Sequence, residues 1–523
     1  MHQELSRPAP QQRAWAALLA VVFMLTAYRG WVIVHTALPL YMDEAQYWLW
    51  SRTPDWGYFS KPPMVAWIIR AFGALGDSEL AVRAGTLALH AGTALLVFAL
   101  GRRMFDVRTA LASAMLFISL PLVGFNSLFM TTDAPLFFFW GLAAWAFWHA
   151  LERDWPRDWL LLGCALGLGL LSKYSMVLFL PCAALALCLP PYRRHWRNPG
   201  LYASVLLALL VLAPNLWWNA RMDFVTLRHT AEISQLERNL FHPARLAEFI
   251  GAQFLCMGPL GFALLVGALG SRAVWRERRL AFLAALTLPF LAAIALQALL
   301  ARAHANWAAP AYFGASLLVG ARLMQAPEPR MRWCLAMVLV NLALLSAFYH
   351  YHGMARALGV TLTQQRDPYA RVLGWPEAGA AVGSVLALHP GTRLATVDRG
   401  EFALLSYYAR PHANPPRIWN PEHARSHHFQ LTADLDQDPG ANVIYASTHP
   451  MNEDAAHSFA RWRVLGTISV KLYPDHRLLL YLYRGDQFLG YAPARHGGGS
   501  GQARLLAARP SAGDAGSFGV GTP

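Results

Sequence analysis

The chain is poor in charge. Asp, Glu, Lys and Arg make up 14% of its 523 residues, about half the usual share for a soluble domain. Hydrophobic residues make up 56%. A larger soluble core does not explain that excess, which asks for a bilayer as solvent. Cysteine is scarce too. Cys164, Cys182, Cys188, Cys256 and Cys334 all lie in apolar runs, none with CxxC spacing, a pattern that fits neither a disulfide framework nor a zinc site. GxGxxG, P-loop and GxSxG motifs are missing, so no signature of a nucleotide cradle or nucleophile elbow is present. The net charge of +14 is carried in short segments between apolar runs. No basic stripe interleaved with stacking aromatics occurs, and nucleic acid is not an expected partner.

What is present is a series of long apolar runs. A spanning helix needs about 20 such residues. Eleven segments qualify, beginning near Ala14, Ala84, Thr109, Ala134, Trp159, Tyr174, Leu201, Leu246, Leu280, Ala308 and Arg332. The first continues past Arg29 to about Leu40 with no small-x-small stop, which predicts an uncleaved span rather than a signal peptide. The fifth and sixth are short and meet at Ser172-Lys173, so they read either as two spans or as one broken or re-entrant pair. Arginines gather in alternate loops, around 102–108, 153–157, 193–197, 272–279 and 322–332. By the positive-inside rule these loops are cytoplasmic. Asp43, Lys61, Asp133, Lys173, residues 219–243 and His304 are then all on the outer face. Residues 1–350 form the expected membrane domain. Residues 351–493 read as a small extramembrane α/β domain, with strands at "TRLATV", "NVIYAS", "RWRVLGTISV" and "RLLLYLY" and a helix at "EFALLSYYA". Residues 494–523, rich in Gly, Ser, Ala and Arg, read as a disordered tail.

The few polar groups are grouped. In "YMDEAQYWLWSRTPDWGYFSKPPM" (41–64) a helix over "DEAQYWLW" puts Asp43 with Tyr47 and Glu44 with Trp48. Adjacent positions diverge by about 100°, so the two carboxylates have different jobs. Acids favour a first helical turn, and each is either a cap or a functional group. A carboxylate at the mouth of a membrane cavity is costly unless used or paired, which favours function for Asp43. Lys61, stiffened by Pro62-Pro63, either meets a phosphate or snorkels to the headgroups. "FMTTDAPLFFFW" sets Asp133 at a helix start with Pro135 in its first turn. "LGLLSKYSMVLF" buries Ser172, Lys173 and Tyr174, and "ARAHANWAAPAY" buries His304, Asn306 and Trp307. "NLWWNARMDFVTLRHT" offers Trp217, Trp218, Arg221, Arg228 and His229, in the manner of an interfacial belt. Metal signals are weak. His423 and His427 lack a third ligand. The acids Asp434, Asp436 and Asp438 start like a calcium loop, but the glycine is one residue late and no Glu occupies the twelfth position.

"MDEAQYWLWS", "WGYFSKPPM", "TTDAPLFF", "GLLSKYS", "PNLWWN" and "ANWAAPAY", in that order over residues 14–350, resemble glycosyltransferase family 39. The likeness is to its bacterial branch, related to protein O-mannosyltransferases and lipid A aminoarabinose transferases. The resemblance implies a polytopic α-helical membrane protein of the GT-C fold, with about 11 transmembrane helices and the C-terminal α/β domain outside. It implies inverting transfer of a sugar from a polyprenyl-phosphate donor to a periplasmic acceptor at the bacterial inner membrane. The expected acceptor is lipid A, lipopolysaccharide or another envelope glycolipid, with protein as a further option. Asp43, with Glu44 beside it, and Asp133 match the family's acids. Lys61 matches the lysine that binds donor phosphate, and Lys173 a lysine after the short fifth span. The same reading places Tyr58, Tyr174, Arg221, His304 and Asn306 at the substrates. Asp43 and Lys61 would then serve the two ends of one reaction. No compelling metal cage is visible, so no cofactor is expected. A flippase for a lipid-linked sugar is the alternative. It predicts internal repeats and midplane polar groups, and neither is found.

Overall fold

The computed structural model describes residues 10–36, 38–234, 240–326, 328, 330–413, 415–451 and 453–491. The tail expected over 494–523 lies outside the described residues. The chain divides into two compact units. One comprises Met1–Thr36, Pro54–Gly57 and Lys61–Tyr351; the other comprises Ala37–Thr53, Tyr58–Ser60 and His352–Pro523.

The first unit is helical, as apolar runs must be when only intrasegment bonds can satisfy the backbone. Among the described residues, six helices are long and apolar enough to cross a bilayer: Ala14–His35, Glu79–Met104, Asp133–Arg153, Pro199–Arg221, Arg278–Leu300 and Met331–Tyr349. Two bent pairs raise the number to 8: Tyr174–Cys188 with Pro190–Arg197, at 116°, and Pro243–Met257 with Pro259–Leu269, at 114°. Val107–Ser119, Pro156–Ser172 and Ala311–Met324 are shorter. Every one of the eleven expected segments is therefore helical, though not all are full-length rods. The chain is a multi-pass membrane protein. Lys173 does end a helix, at Ser172, and a 3₁₀ turn, Tyr174–Leu178, follows. The helix Met64–Phe72 was not anticipated, because its apolar run is too short to span.

Contacts sort the two ends of this unit. Arg278 pairs with Glu152 at 3.0 Å, Asn198 donates to Asp154 at 2.5 Å, Gln325 donates to Asp106 at 2.7 Å, and Arg279 lies over Phe105. The arginine-rich connections thus meet at one end. At the other end are Asp133, Lys173 and Asn306. Between them Trp140, Trp148 and Trp159 are no more than 2% exposed. Arg29 sits within the first helix because it faces inward, donating to the Ile118 carbonyl at 2.6 Å and the Ser127 hydroxyl at 3.3 Å.

The second unit is built on a five-stranded sheet of order β2-β1-β3-β5-β4. Its strands are β1 (Thr392–Thr396), β2 (Arg417–Ile418), β3 (Asn442–Ser447), β4 (Phe459–Tyr473) and β5 (His476–Phe488). β1 pairs in parallel with β2 and β3, while β5 joins β3 and β4 antiparallel. Four strands fall where the sequence predicts. The two-residue β2 carries too little pattern to be seen. Asp434 is taken up by Asn420 at 2.7 Å and by Tyr491, and Asp438 pairs with Arg417 at 2.6 Å and Arg393 at 3.0 Å. These acids fasten loops to the sheet.

His427 and His428 give this unit an acid sensitivity. Burial, then the charges of Arg399 and His428, press His427 down to about 3; burial presses His428 to about 4. Both rings are neutral in the native state. Below about 6.5 the unfolded chain takes up protons that the native rings refuse, so stability is full above that pH and declines toward pH 4. Each ring contributes at most about 1.4 kcal/mol per pH unit. The melting temperature should fall between pH 6.5 and 5, and H427N/H428N should flatten that slope. An unchanged slope in the double variant would show that the rings are not its source.

Candidate active site

Asp133 opens the helix Asp133–Arg153, where the helix dipole favours a carboxylate. It is 2% exposed. Lys173 Nζ donates to its Oδ1 at 2.7 Å and Asn306 Nδ2 to its Oδ2 at 2.8 Å. Both oxygens are engaged, so Asp133 ties Lys173 and Asn306 together. Lys173 keeps 21% exposure, but its charge is matched by Asp133. Local backbone explains the meeting. Lys173 is extended between two helices (φ −160°, ψ 132°), and Asn306 lies in the 3₁₀ turn Ala305–Ala308 that leads into the helix Ala311–Met324. His304 stands at the N-cap position of that turn, buried and edge-on to Trp307 at 5.2 Å.

A second polar layer runs along one face of Pro199–Arg221. Asn215 and Asn219, spaced i and i+4, share a face. Tyr174 donates to Asn215 Oδ1 at 2.7 Å, and Asn219 Nδ2 donates to the Tyr174 hydroxyl at 3.1 Å. Asn215 Nδ2 reaches the Trp56 carbonyl at 2.7 Å, and Trp218 Nε1 donates to Asp55 Oδ2 at 2.7 Å. The segment 54–57 is thereby pinned to this helix. Gly57 allows the fit, because a Cβ there would come within 2.4 Å of the Trp218 ring. Gly57→Ala should cost about 1–3 kcal/mol of stability, read as a lower melting temperature in detergent. An unshifted melt would mean that the ring gives way freely. Arg221 stacks on the exposed Trp217, 3.6 Å from the ring centroid. Lys61 is partly exposed and precedes Pro62.

The acidic motif of the first loop belongs to the second unit. Met42–Arg52 is the helix that the sequence predicts, and its two acids have different partners. Glu44 Oε2 accepts from Tyr41 N at 2.9 Å, and the residue is 1% exposed; it closes a capping box. Asp43 is 21% exposed, and its Oδ1 receives Arg399 Nη1 at 2.9 Å. The same Nη1 donates to Gln46 Oε1 at 3.0 Å. Burial and the Asp43 charge push the Tyr41 phenol above its usual value, opposed by Arg371 and Arg399. Tyr58 stacks on Trp50 at 4.4 Å, with His428 edge-on to both, and donates to the Trp50 carbonyl at 2.9 Å. Its ring and hydroxyl hold the loop's return.

Sequence reasoning did not find Arg399, Gln46, Asn215, Asn219 or Asp55. One signal was available for Arg399. In "DRGEF" a cation directly follows a capping Asp at a helix N-terminus, where the dipole disfavours it. Among the described residues, no group of three or more His, Cys, Asp or Glu is placed to hold a metal ion.

The geometry can be set beside known proteins. Residues 60–218 match the dolichyl-phosphate-mannose-protein mannosyltransferase family model. The chain is 35% identical over 306 residues to the lipid A galacturonosyltransferase RgtD of Rhizobium johnstonii, covering 57% of this chain and 64% of that protein. It is 32% identical over 288 residues to the undecaprenyl phosphate-alpha-4-amino-4-deoxy-L-arabinose arabinosyl transferase of Pseudomonas aeruginosa, covering 51% and 50%. The matches thus span about half to just under two thirds of these relatives' lengths. ArnT from Cupriavidus metallidurans bound to undecaprenyl phosphate superposes with a TM-score of 0.62 at 15% identity, covering 90% of this chain and 98% of that one. That likeness establishes the fold. The chain thus has the fold of ArnT, and its residues 60–218 are similar to the mannosyltransferase family.

Proposed function

We propose that the protein transfers a sugar from a polyprenyl-phosphate donor to an acceptor in lipid A or lipopolysaccharide, on the periplasmic face of the bacterial inner membrane. The observation that carries the reading is the Asp133–Lys173–Asn306 cluster. Three of the family motifs, far apart in sequence, meet on one buried carboxylate at the end of the bundle opposite the arginine-rich loops. The names of the galacturonosyl and aminoarabinose transferases support the donor and acceptor classes.

In this reaction an acceptor oxygen attacks the anomeric carbon, the bond from that carbon to the phosphate oxygen breaks, and the configuration inverts. Polyprenyl phosphate is already a fair leaving group, so no nucleotide is spent. Lys61 offsets the charge that develops on the departing phosphate. Asp43 takes the proton of a hydroxyl acceptor; with a phosphate acceptor it orients the nucleophile or steadies positive charge on the sugar ring. Asp133 fixes Lys173 and Asn306 rather than exchanging protons.

The test is sugar transfer by the purified protein in detergent, using a panel of polyprenyl-phosphate sugars and extracted envelope lipids. Product from one donor–acceptor pair is the expected result. No product from any pair, together with movement of a carrier-linked sugar across liposomes, would replace this reading with a flippase.

A further inference from the structure

We propose that Arg399 is the positioning residue for Asp43, so that the C-terminal unit, rather than the membrane helices, sets the orientation of the acidic motif. The inference rests on the transferase reading above and goes beyond it.

Asp43 and Gln46 are three apart on one helix and so share a face. Arg399 bridges them with a single nitrogen, at 2.9 Å and 3.0 Å. That contact leaves Asp43 Oδ1 directed at the guanidinium. The root of Arg399 is itself fixed. Asp398 Oδ1 caps its helix, accepting from Gly400 N at 2.6 Å and Glu401 N at 3.1 Å. Glu401, 3% exposed, accepts from Thr448 N at 2.8 Å and from the Thr448 hydroxyl at 2.5 Å. These bonds tie the start of Arg399–Tyr408 to the end of β3. The two helices are also fastened elsewhere. Leu40 N donates to the Tyr408 hydroxyl at 2.7 Å, Trp48 meets Tyr407 edge-on at 5.0 Å, and Arg410 lies over both of those rings. Met42 packs closely on Gly400, where a Cβ would come within 3.0 Å of its sulfur.

The location suits the role. β1 lies between β2 and β3, parallel to both, so the chain reverses its lateral direction there. Open parallel sheets present functional groups beyond the carboxyl ends of strands at such a reversal. Arg399 follows β1 by three residues. A cation at that helix start is electrostatically unfavourable unless an anion faces it, and Asp43 is that anion.

The experiment compares wild type, Arg399→Ala, Arg399→Lys and Asp43→Asn in the detergent transfer assay, with melting curves for each. Displacing a group by an ångström costs about 10²-fold. Arg399→Ala should therefore lose kcat by about that factor, while the donor KM changes by less than about twofold. Added guanidinium should restore part of the rate to Arg399→Ala and none to Asp43→Asn. Arg399→Lys, which keeps the charge and one donor, should lie between wild type and Arg399→Ala. Wild-type turnover by Arg399→Ala would overturn the inference. So would a loss that tracks a lower melting temperature and is recovered by neither lysine nor guanidinium, since that marks a purely structural clamp. An inactive wild type would instead overturn the transferase reading, and this inference with it.

Discussion

Asp43→Asn should lower sugar transfer by about 10²–10⁴-fold, the usual contribution of a positioned acid or base. The change keeps the shape of the side chain and removes its charge. Arg399 loses an anionic partner but keeps Gln46, and at 17% exposure it retains access to water. The stability cost should therefore be small, about 1 kcal/mol. Activity and stability separate in this variant, which makes it informative. Transfer is measured under single-turnover conditions and compared with a melting curve. Full turnover would remove Asp43 from the chemistry and leave the Asp43–Arg399 pair as a fastening of the first-loop helix.

Asp133→Ala should fail in both respects. It strands the Lys173 ammonium and the Asn306 amide, both of which now end on the carboxylate. Removing one partner of a buried ion pair costs about 3–5 kcal/mol. Here the lower end applies, because Lys173 keeps 21% exposure. The double variant Asp133→Asn/Lys173→Met removes both charges and should recover most of that stability. It should not recover transfer, because the Lys173 ammonium and the carboxylate that holds Asn306 are both gone. A double-mutant cycle on melting temperature with Asp133→Asn, Lys173→Met and the double variant, run beside the transfer assay, reads both effects. Additive losses would show that the two side chains act independently despite their 2.7 Å contact.

The two variants probe groups that differ in how far the sequence foretold them. Asp133, Lys173 and Asn306 each stand out, since an ionisable or amide side chain within an apolar run must be paired or used. Their pairing with one another is not legible, because 40 and 173 residues separate Asp133 from its partners. Glu44 and Tyr58 show the opposite limit. Residue type and motif marked them for chemistry, and neither gave any sign that one closes a helix start and the other stacks on Trp50. The sequence names a carboxylate without naming its partner atoms, which only the fold supplies.

The sequence by itself determined the solvent of this protein and its helices. Apolar runs in a bilayer have no backbone partners but their own, so length and composition suffice to make them helical. The alternation of the C-terminal segments likewise determined four strands, because burial of one face repeats every second residue. Only the tertiary structure decided that the acidic motif of the first loop belongs to the C-terminal unit. Asp43 and Arg399 lie 356 residues apart. No local propensity encodes a charge pair across that distance; it exists because two helices dock, at a glycine, through a capped turn beside a mixed sheet.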